Sequence, residues 1–344
     1  LPTILQKRSL NLTQYLFFLG FGIFLLWLCF RKLDMAEVWI DILSAHYSWL
    51  VLSLLVALTS HIFRALRWNL LINSMGFKTR LSTTFFSVMV GYMANTAVPR
   101  MGEFMRCGVL SKKEKIPFNA LFGTVISERI FDLIVLAFII VSLVIFQFDL
   151  LKGLLNKMFG GMQDTLFSDM TLLFIFVLAL SVFFGLVVFF IRRFKPTIQK
   201  FIIYQKTRTF LIGLIEGIKT IIHLKEKLLF LLYTFVIWLA YALMVYLPVY
   251  MFPETSHLDF IDAMTLMSIG SLGIVAPVPG GIGAYHFIVK AILFELYHIN
   301  SSIAGSFAAI THAGQTLLNV LVGAFSYFSL TILAKTQKPL NEQN

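Results

Sequence analysis

The stretch AVPRMGEFMR, residues 97–106, breaks an apolar run with a proline, a glycine and three charged side chains. Before that run, residues 64–80 carry Arg64, Arg67, Lys78 and Arg80; after it come Arg106, Lys112, Lys113 and Lys115. Lys and Arg beside membrane spans mark the cytoplasmic side. A single crossing cannot join two loops on one side, so the run from about 81 to 112 reads as a helix that enters, breaks and returns.

This reading presupposes a membrane, and the composition requires one. The 344 residues are 58% hydrophobic and 13% charged, whereas a soluble domain carries roughly a quarter charged residues. Apolar runs of near-spanning length recur from residues 15–30 to 317–334, and a spanning helix needs roughly 20 such residues. The first run is no cleaved signal peptide, because no small-residue cleavage site precedes the charged RKLD at 31–34. The net charge of +11 lies between spans, which argues for positive-inside loops and against nucleic acid. Cys29 and Cys107 are too few for a disulfide framework or a cysteine metal site, and no cofactor is expected.

Working outward, residues 252–262 hold only Glu254, Asp259 and Asp262, which places them outside. Residues 192–227 hold nine basic residues against two acids and belong inside, as a basic amphipathic linker lying on headgroups. Between the outside loop and the last span, APVPGGIGAYH (276–286) repeats the first break with two prolines and three glycines. The order becomes span, span, broken hairpin, span, stated twice: about 14–30, 48–70, 81–112 and 118–147, then 169–191, 228–252, 259–297 and 302–334. The expected fold is one all-α polytopic transmembrane domain over 1–344, with repeats at about 14–147 and 169–334 and both termini inside. Three crossings per half make the repeat inverted, an arrangement that brings broken helices together near the midplane of secondary transporters. Irregular backbone at that depth must face protein or a wet cavity.

Charged residues cluster at the first break and in the next span. Arg100, Glu103 and Arg106 step by three, so Glu103 is expected to pair with either arginine. Glu128, Arg129 and Asp132 lie inside the following apolar run, with Glu128 and Asp132 on one face. Ions at such depth mark a functional site by default; the structural alternative is a salt-bridge network, for instance Arg129 with Glu103. His61, Arg64 and Arg67 also step by three; Arg67 reads as snorkelling to headgroups, whereas Arg64 could reach an anion. In the second half His286, His312 and Gln315 are the polar candidates, without the spacing of a metal site. The glycine-rich break could present free N–H groups to an anion.

Three motifs together resemble the transmembrane region of the lysylphosphatidylglycerol synthase family, flippase-like membrane proteins. They are Pro99, Arg100, Gly102 and Glu103; Glu128, Arg129 and Asp132; and Pro279, Gly280, Gly281 and Gly283. The resemblance covers about residues 10–334 and implies movement of phospholipids or lipid-linked precursors between leaflets of a bacterial cytoplasmic (inner) membrane. The family's aminoacyl-transferring domain is not found in these 344 residues, so synthase activity is not expected. Many members carry an acid near His286; a histidine there makes pH sensitivity an expectation.

The leading expectation is therefore a non-enzymatic lipid translocase. Arg100, Arg106 and Arg129 would attract a phosphate-bearing headgroup, held by Glu103, Glu128 and Asp132, in a cleft that the second break completes. Its partners would be anionic phospholipids or polyprenyl-linked lipids, with a homodimer and a separate lipid-modifying enzyme as further candidates. The alternatives are a proton- or ion-coupled carrier of a small soluble anion, and a non-transporting protein that presents lipid to an enzyme.

Overall fold

A computed structural model describes residues 4–31, 33–147, 224–275 and 278–336. The described residues form helices and no strands. In chain order these are α1 (Ile4–Phe30), α2 (Met35–Ser44), α3 (Tyr47–Ser74), α4 (Leu81–Ala97), α5 (Met101–Glu114), α6 (Phe118–Phe146), α7 (Lys227–Tyr246), α8 (Phe260–Val275), α9 (Ala284–Glu295) and α10 (Ser301–Thr336). Among the described residues, four helical stretches are long and apolar enough to cross a membrane: Tyr47–Ser74, Phe118–Phe146, Lys227–Met251 and Ser301–Ile332. The expected span at 169–191 and the linker, up to residue 223, lie outside the described residues.

Both expected hairpins are present as broken helices, and local chemistry sets each break. Pro99 forces the residue before it into extended backbone, and Val98 duly lies at φ −132°, ψ 122°, ending α4. Arg100 then turns the chain at φ 62°, and α5 starts one residue later. At 1.5 Å per residue, α4 and α5 reach about 26 and 21 Å, each short of a hydrocarbon core of about 30 Å. Val278 is extended before Pro279 in the same way. Gly280, Gly281 and Gly283 follow at φ 60°, 75° and 81°, a left-handed region in which a Cβ is strained.

Neighbouring helices pair reciprocally. In the first half α3 packs on α4, α4 on α5 and α5 on α6; in the second, α7 packs on α8, α8 on α9 and α9 on α10. Across the halves α3 packs on α7, α4 on α10 and α6 on α8. The two breaks also meet, since a Cβ added to Gly280 would lie 3.5 Å from the Thr96 carbonyl oxygen. Helix α1 packs on α9 and on the second break, with Gly22 against Val278 and Ile282.

Small residues set the closest approaches, as is usual where helices associate in lipid. The Gly102 Cα faces the Gly91 carbonyl and the Asn95 side chain so closely that a Cβ there would overlap both. The Gly102 N–H, an orphan donor of the first turn of α5, donates to Asn95 Oδ1 at 2.7 Å. The glycine of the first break is thus a packing contact between the two arms of its hairpin.

Candidate functional site

Four helices bring an ion network together beside the first break. Arg64 and Arg67 come from α3, Glu103 and Arg106 from α5, and Glu128, Arg129 and Asp132 from α6; α7 adds Thr234 and Tyr241. Arg67 is wholly buried, against the expectation that it snorkels. Its Nη1 lies 2.8 Å from Asp132 Oδ1, its Nη2 donates to Asp132 Oδ2 at 3.0 Å, and Nη1 also donates to Thr234 at 3.0 Å. Nε faces Glu128 Oε1 at 3.5 Å. Glu128 and Asp132, one turn apart on α6, clasp this guanidinium between them. Arg64 and Arg67 therefore sit inside α3 and are not loop charges, which leaves Lys78 and Arg80 for the loop that follows.

Arg106 and Arg64 flank that centre. Arg106 Nη2 donates to Glu128 Oε2 at 2.7 Å while its guanidinium carbon lies 4.6 Å from the centre of the Trp68 ring. Trp68 is held by its indole N–H, which donates to Thr124 at 2.8 Å. Arg64 Nη2 donates to the Tyr241 hydroxyl at 2.8 Å and to Asp132 Oδ2 at 3.2 Å. Buried charges in such a setting hold only when their hydrogen-bonding groups find partners. Several here do not: Arg67 Nε, Glu128 Oε1 and Asp132 Oδ1 have only the ion-pair contacts given above, and Arg64 Nε and Nη1, Arg106 Nε and Glu103 Oε2 are buried without a hydrogen-bond acceptor or donor.

The residues that carry these last groups converge. A cavity with about 10 Å³ of room for a water-sized guest is lined by Arg64, Tyr92, Asn95, Glu103, Arg106 and Arg129, among others. Glu103 and Arg129 form its outer side. Their bridge is short, 2.7 Å, yet the Arg129 side chain is 44% exposed while Arg64 is 3% exposed. Glu103 thus pairs with Arg129 from the neighbouring span and not with Arg100 or Arg106. Arg100 lies ahead of the first helical turn in left-handed backbone, off the arc that the spacing of three assumed. It is exposed, at the break itself.

The second break holds a different set. His312 Nε2 meets the Gly280 carbonyl at 2.9 Å, so that nitrogen carries the proton. The Gly283 N–H donates to His286 Nδ1 at 3.3 Å. The two imidazoles lie 4.6 Å apart, centre to centre. Gly281 N–H and Ile282 N–H donate to Val278 and Pro279 carbonyls, so these N–H groups are spent inside the turn and are not open to an anion. Gln315 is half-buried on α10, one turn from His312. Glu103, Arg106, Glu128, Arg129 and Asp132 gather at one place, Arg100 lies apart from them at the break, and Pro279, Gly280, Gly281, Gly283, His286 and His312 gather at another.

Arg67, Tyr241, Thr234, Trp68 and Asn95 were not singled out as site residues from sequence. A signal existed for Arg67: an arginine one turn from another, well inside a 28-residue apolar helix. Counting it toward a basic loop hid it. The others carry no signal that separates them from ordinary span residues.

The family described as the lysylphosphatidylglycerol synthase TM region matches residues 15–323, and the chain belongs to that family. It is similar to the UPF0104 membrane protein MJ1595 of Methanocaldococcus jannaschii, with 22% identity over 311 residues, 86% of this chain and 87% of that one. No solved structure matches the chain.

Proposed function

From this membership we propose that the protein is a lipid translocase of the cytoplasmic membrane, which seats the phosphate of a lipid headgroup at the arginines beside the first break. The observation that carries the reading is that Arg64 and Arg106, which keep buried guanidinium N–H groups without acceptors, both line one cavity. Arginine suits phosphate because its planar fork can donate two hydrogen bonds at once. In a network that serves stability alone each idle buried donor is a loss of roughly 1–3 kcal/mol.

In this reading the two halves are inverted repeats, a view that the reciprocal helix pairing supports. The breaks meet at Thr96 and Gly280, so a headgroup beside the first break can pass to either side as the halves rock. The Arg67 centre stays as the fixed brace, while the Glu103–Arg129 bridge acts as the part that opens. Acyl chains remain in the bilayer.

The test is flipping of fluorescent phospholipids in proteoliposomes, read by dithionite quenching of the outer leaflet. Glu128→Gln and Arg100→Ala are expected to slow flipping at least about tenfold, which is about 1.4 kcal/mol of barrier. Wild-type rates in both variants, each verified as monodisperse, would overturn the assignment.

A further inference from the structure

Resting on the headgroup reading, the charges around the cavity specify the class of phosphate. The three most buried arginines, Arg64, Arg67 and Arg106, face two carboxylates, Glu128 and Asp132. The Arg129–Glu103 pair adds one charge of each sign. Three against two, or four against three, leaves one uncompensated positive charge among the described residues of the network, with His61 counted as neutral. Arg64, Glu103, Arg106 and Arg129 are the members that line the cavity, and no other described charged residue does.

The surplus has a definite place. Arg67 has both of its terminal nitrogens on acceptors, and Arg106 has a short bridge to Glu128. Arg64 is shared most thinly: it takes the second position on an Asp132 already gripped by Arg67, and otherwise a neutral tyrosine hydroxyl. Its Nε and Nη1 are left over and its side chain lines the cavity, with Tyr92 and with Asn95, whose Oδ1 is taken by Gly102. An uncompensated charge at membrane depth is costly. A guest with one negative charge cancels it; a guest with two restores an imbalance of opposite sign.

We infer that the cavity is a seat for one negative charge and that the translocated lipid carries a phosphodiester there, in preference to a phosphomonoester. The two differ in charge because a monoester loses its second proton near pH 6, so it is a dianion at pH 8 while a diester stays a monoanion. The cavity holds only a water-sized group as it stands, so admitting a phosphate requires the Glu103–Arg129 bridge to part. Glu103 then separates from its cation next to the guest, and it disfavours a second negative charge further.

The experiment is equilibrium binding to the detergent-purified full chain at pH 8, by thermophoresis, with four probes. These are dihexanoyl phosphatidylglycerol (a diester), dihexanoyl phosphatidate (a monoester), glycerophosphoglycerol (a diester without acyl chains) and dihexanoylglycerol (no phosphate). The expected result is phosphatidylglycerol bound at least about tenfold tighter than phosphatidate. Glu103→Gln raises the surplus to two and is expected to bring phosphatidate to parity or better. Arg64→Gln removes the surplus and is expected to lower both to the level of dihexanoylglycerol; should that variant fail to fold, Glu103→Gln alone decides. Phosphatidate bound as tightly as phosphatidylglycerol by wild type overturns the single-charge inference and leaves the headgroup reading intact. Both phosphate lipids at the level of dihexanoylglycerol overturn the headgroup reading itself. Glycerophosphoglycerol as tight as phosphatidylglycerol upholds the single-charge seat and overturns a lipid as its source.

Discussion

Replacing Arg67 with methionine tests the division of the ion network into a brace and a seat. The substitution keeps much of the side chain's length while removing a guanidinium that makes two contacts to Asp132, one to Thr234 and one to Glu128. It leaves Asp132 with Arg64 at 3.2 Å and Glu128 with Arg106 at 2.7 Å, each carboxylate having lost its other cation. Removing one partner of a buried pair costs roughly 3–5 kcal/mol. At about 2–4 °C per kcal/mol for chains of 150–250 residues, and somewhat less for a longer one, the apparent Tm is expected to fall by about 5–15 °C. The control is Arg129→Met, whose side chain is 44% exposed in a bridge to the 22% exposed Glu103; a partly exposed pair contributes roughly 0–1 kcal/mol. The assay is intrinsic-fluorescence melting in one detergent, with Asp132→Asn and the Arg67→Met/Asp132→Asn double variant completing a cycle whose coupling is expected to exceed about 1.5 kcal/mol. The reasoning fails if Arg67→Met melts within 2 °C of wild type, or if Arg129→Met costs as much.

Gly102→Ala sets a Cβ against the Gly91 carbonyl and Asn95, so a loss of roughly 1–3 kcal/mol is expected in the same melting assay; Gly108→Ala on the same helix, where a Cβ meets nothing within 4 Å, is expected to be neutral or slightly stabilising. Trp68→Phe deletes the bond to Thr124 and weakens the face under Arg106, for an expected loss of about 1–2 kcal/mol. Arg100→Ala is expected to stay within about 0.5 kcal/mol of wild type in stability while slowing flipping, because Arg100 is exposed at the break; equal flipping removes it from the site. Single cysteines at Lys115 and Glu254, both exposed, are expected to react with an impermeant maleimide from opposite sides of the membrane, Glu254 from outside; labelling from one side refutes the inverted topology.

The breaks were legible because proline and glycine act locally. Pro99 dictates Val98, Pro279 dictates Val278, and three glycines supply three positive φ angles, with no need of distant residues. Element boundaries from about 48 to 147 and 228 to 334 follow for the same reason. Pairing was less legible. Glu128 and Asp132 share a face as their spacing implies, but their shared partner, Arg67, lies about 60 residues earlier, and helical spacing says nothing across that distance. The misplacement of Arg67 has one physical cause: a basic residue within a few turns of a span end satisfies the positive-inside count equally well whether it points to headgroups or to a carboxylate inside the bundle. Arg100 went the other way, since the spacing of three presumes a helix that starts only at Met101.

That error bears on mechanism, because it moves charge from the membrane surface to the interior. With Arg67 on the surface and Arg64 turned inward, the interior set of Arg64, Glu103, Arg106, Glu128, Arg129 and Asp132 would hold three acids and three bases, a balanced site. With Arg67 inside as well, as the salt bridges place it, the same network has one positive charge in surplus. The sign of the site, and with it the class of guest, turns on one residue of α3. Moving that sign experimentally is therefore the sharpest probe of the proposal. Arg64→Gln balances the network while sparing the Arg67 centre and the Arg106–Glu128 bridge. If it melts near wild type yet loses phosphodiester binding, the surplus serves the guest. If it melts far below wild type while binding persists, Arg64 belongs to the brace, and the surplus charge is part of the scaffold.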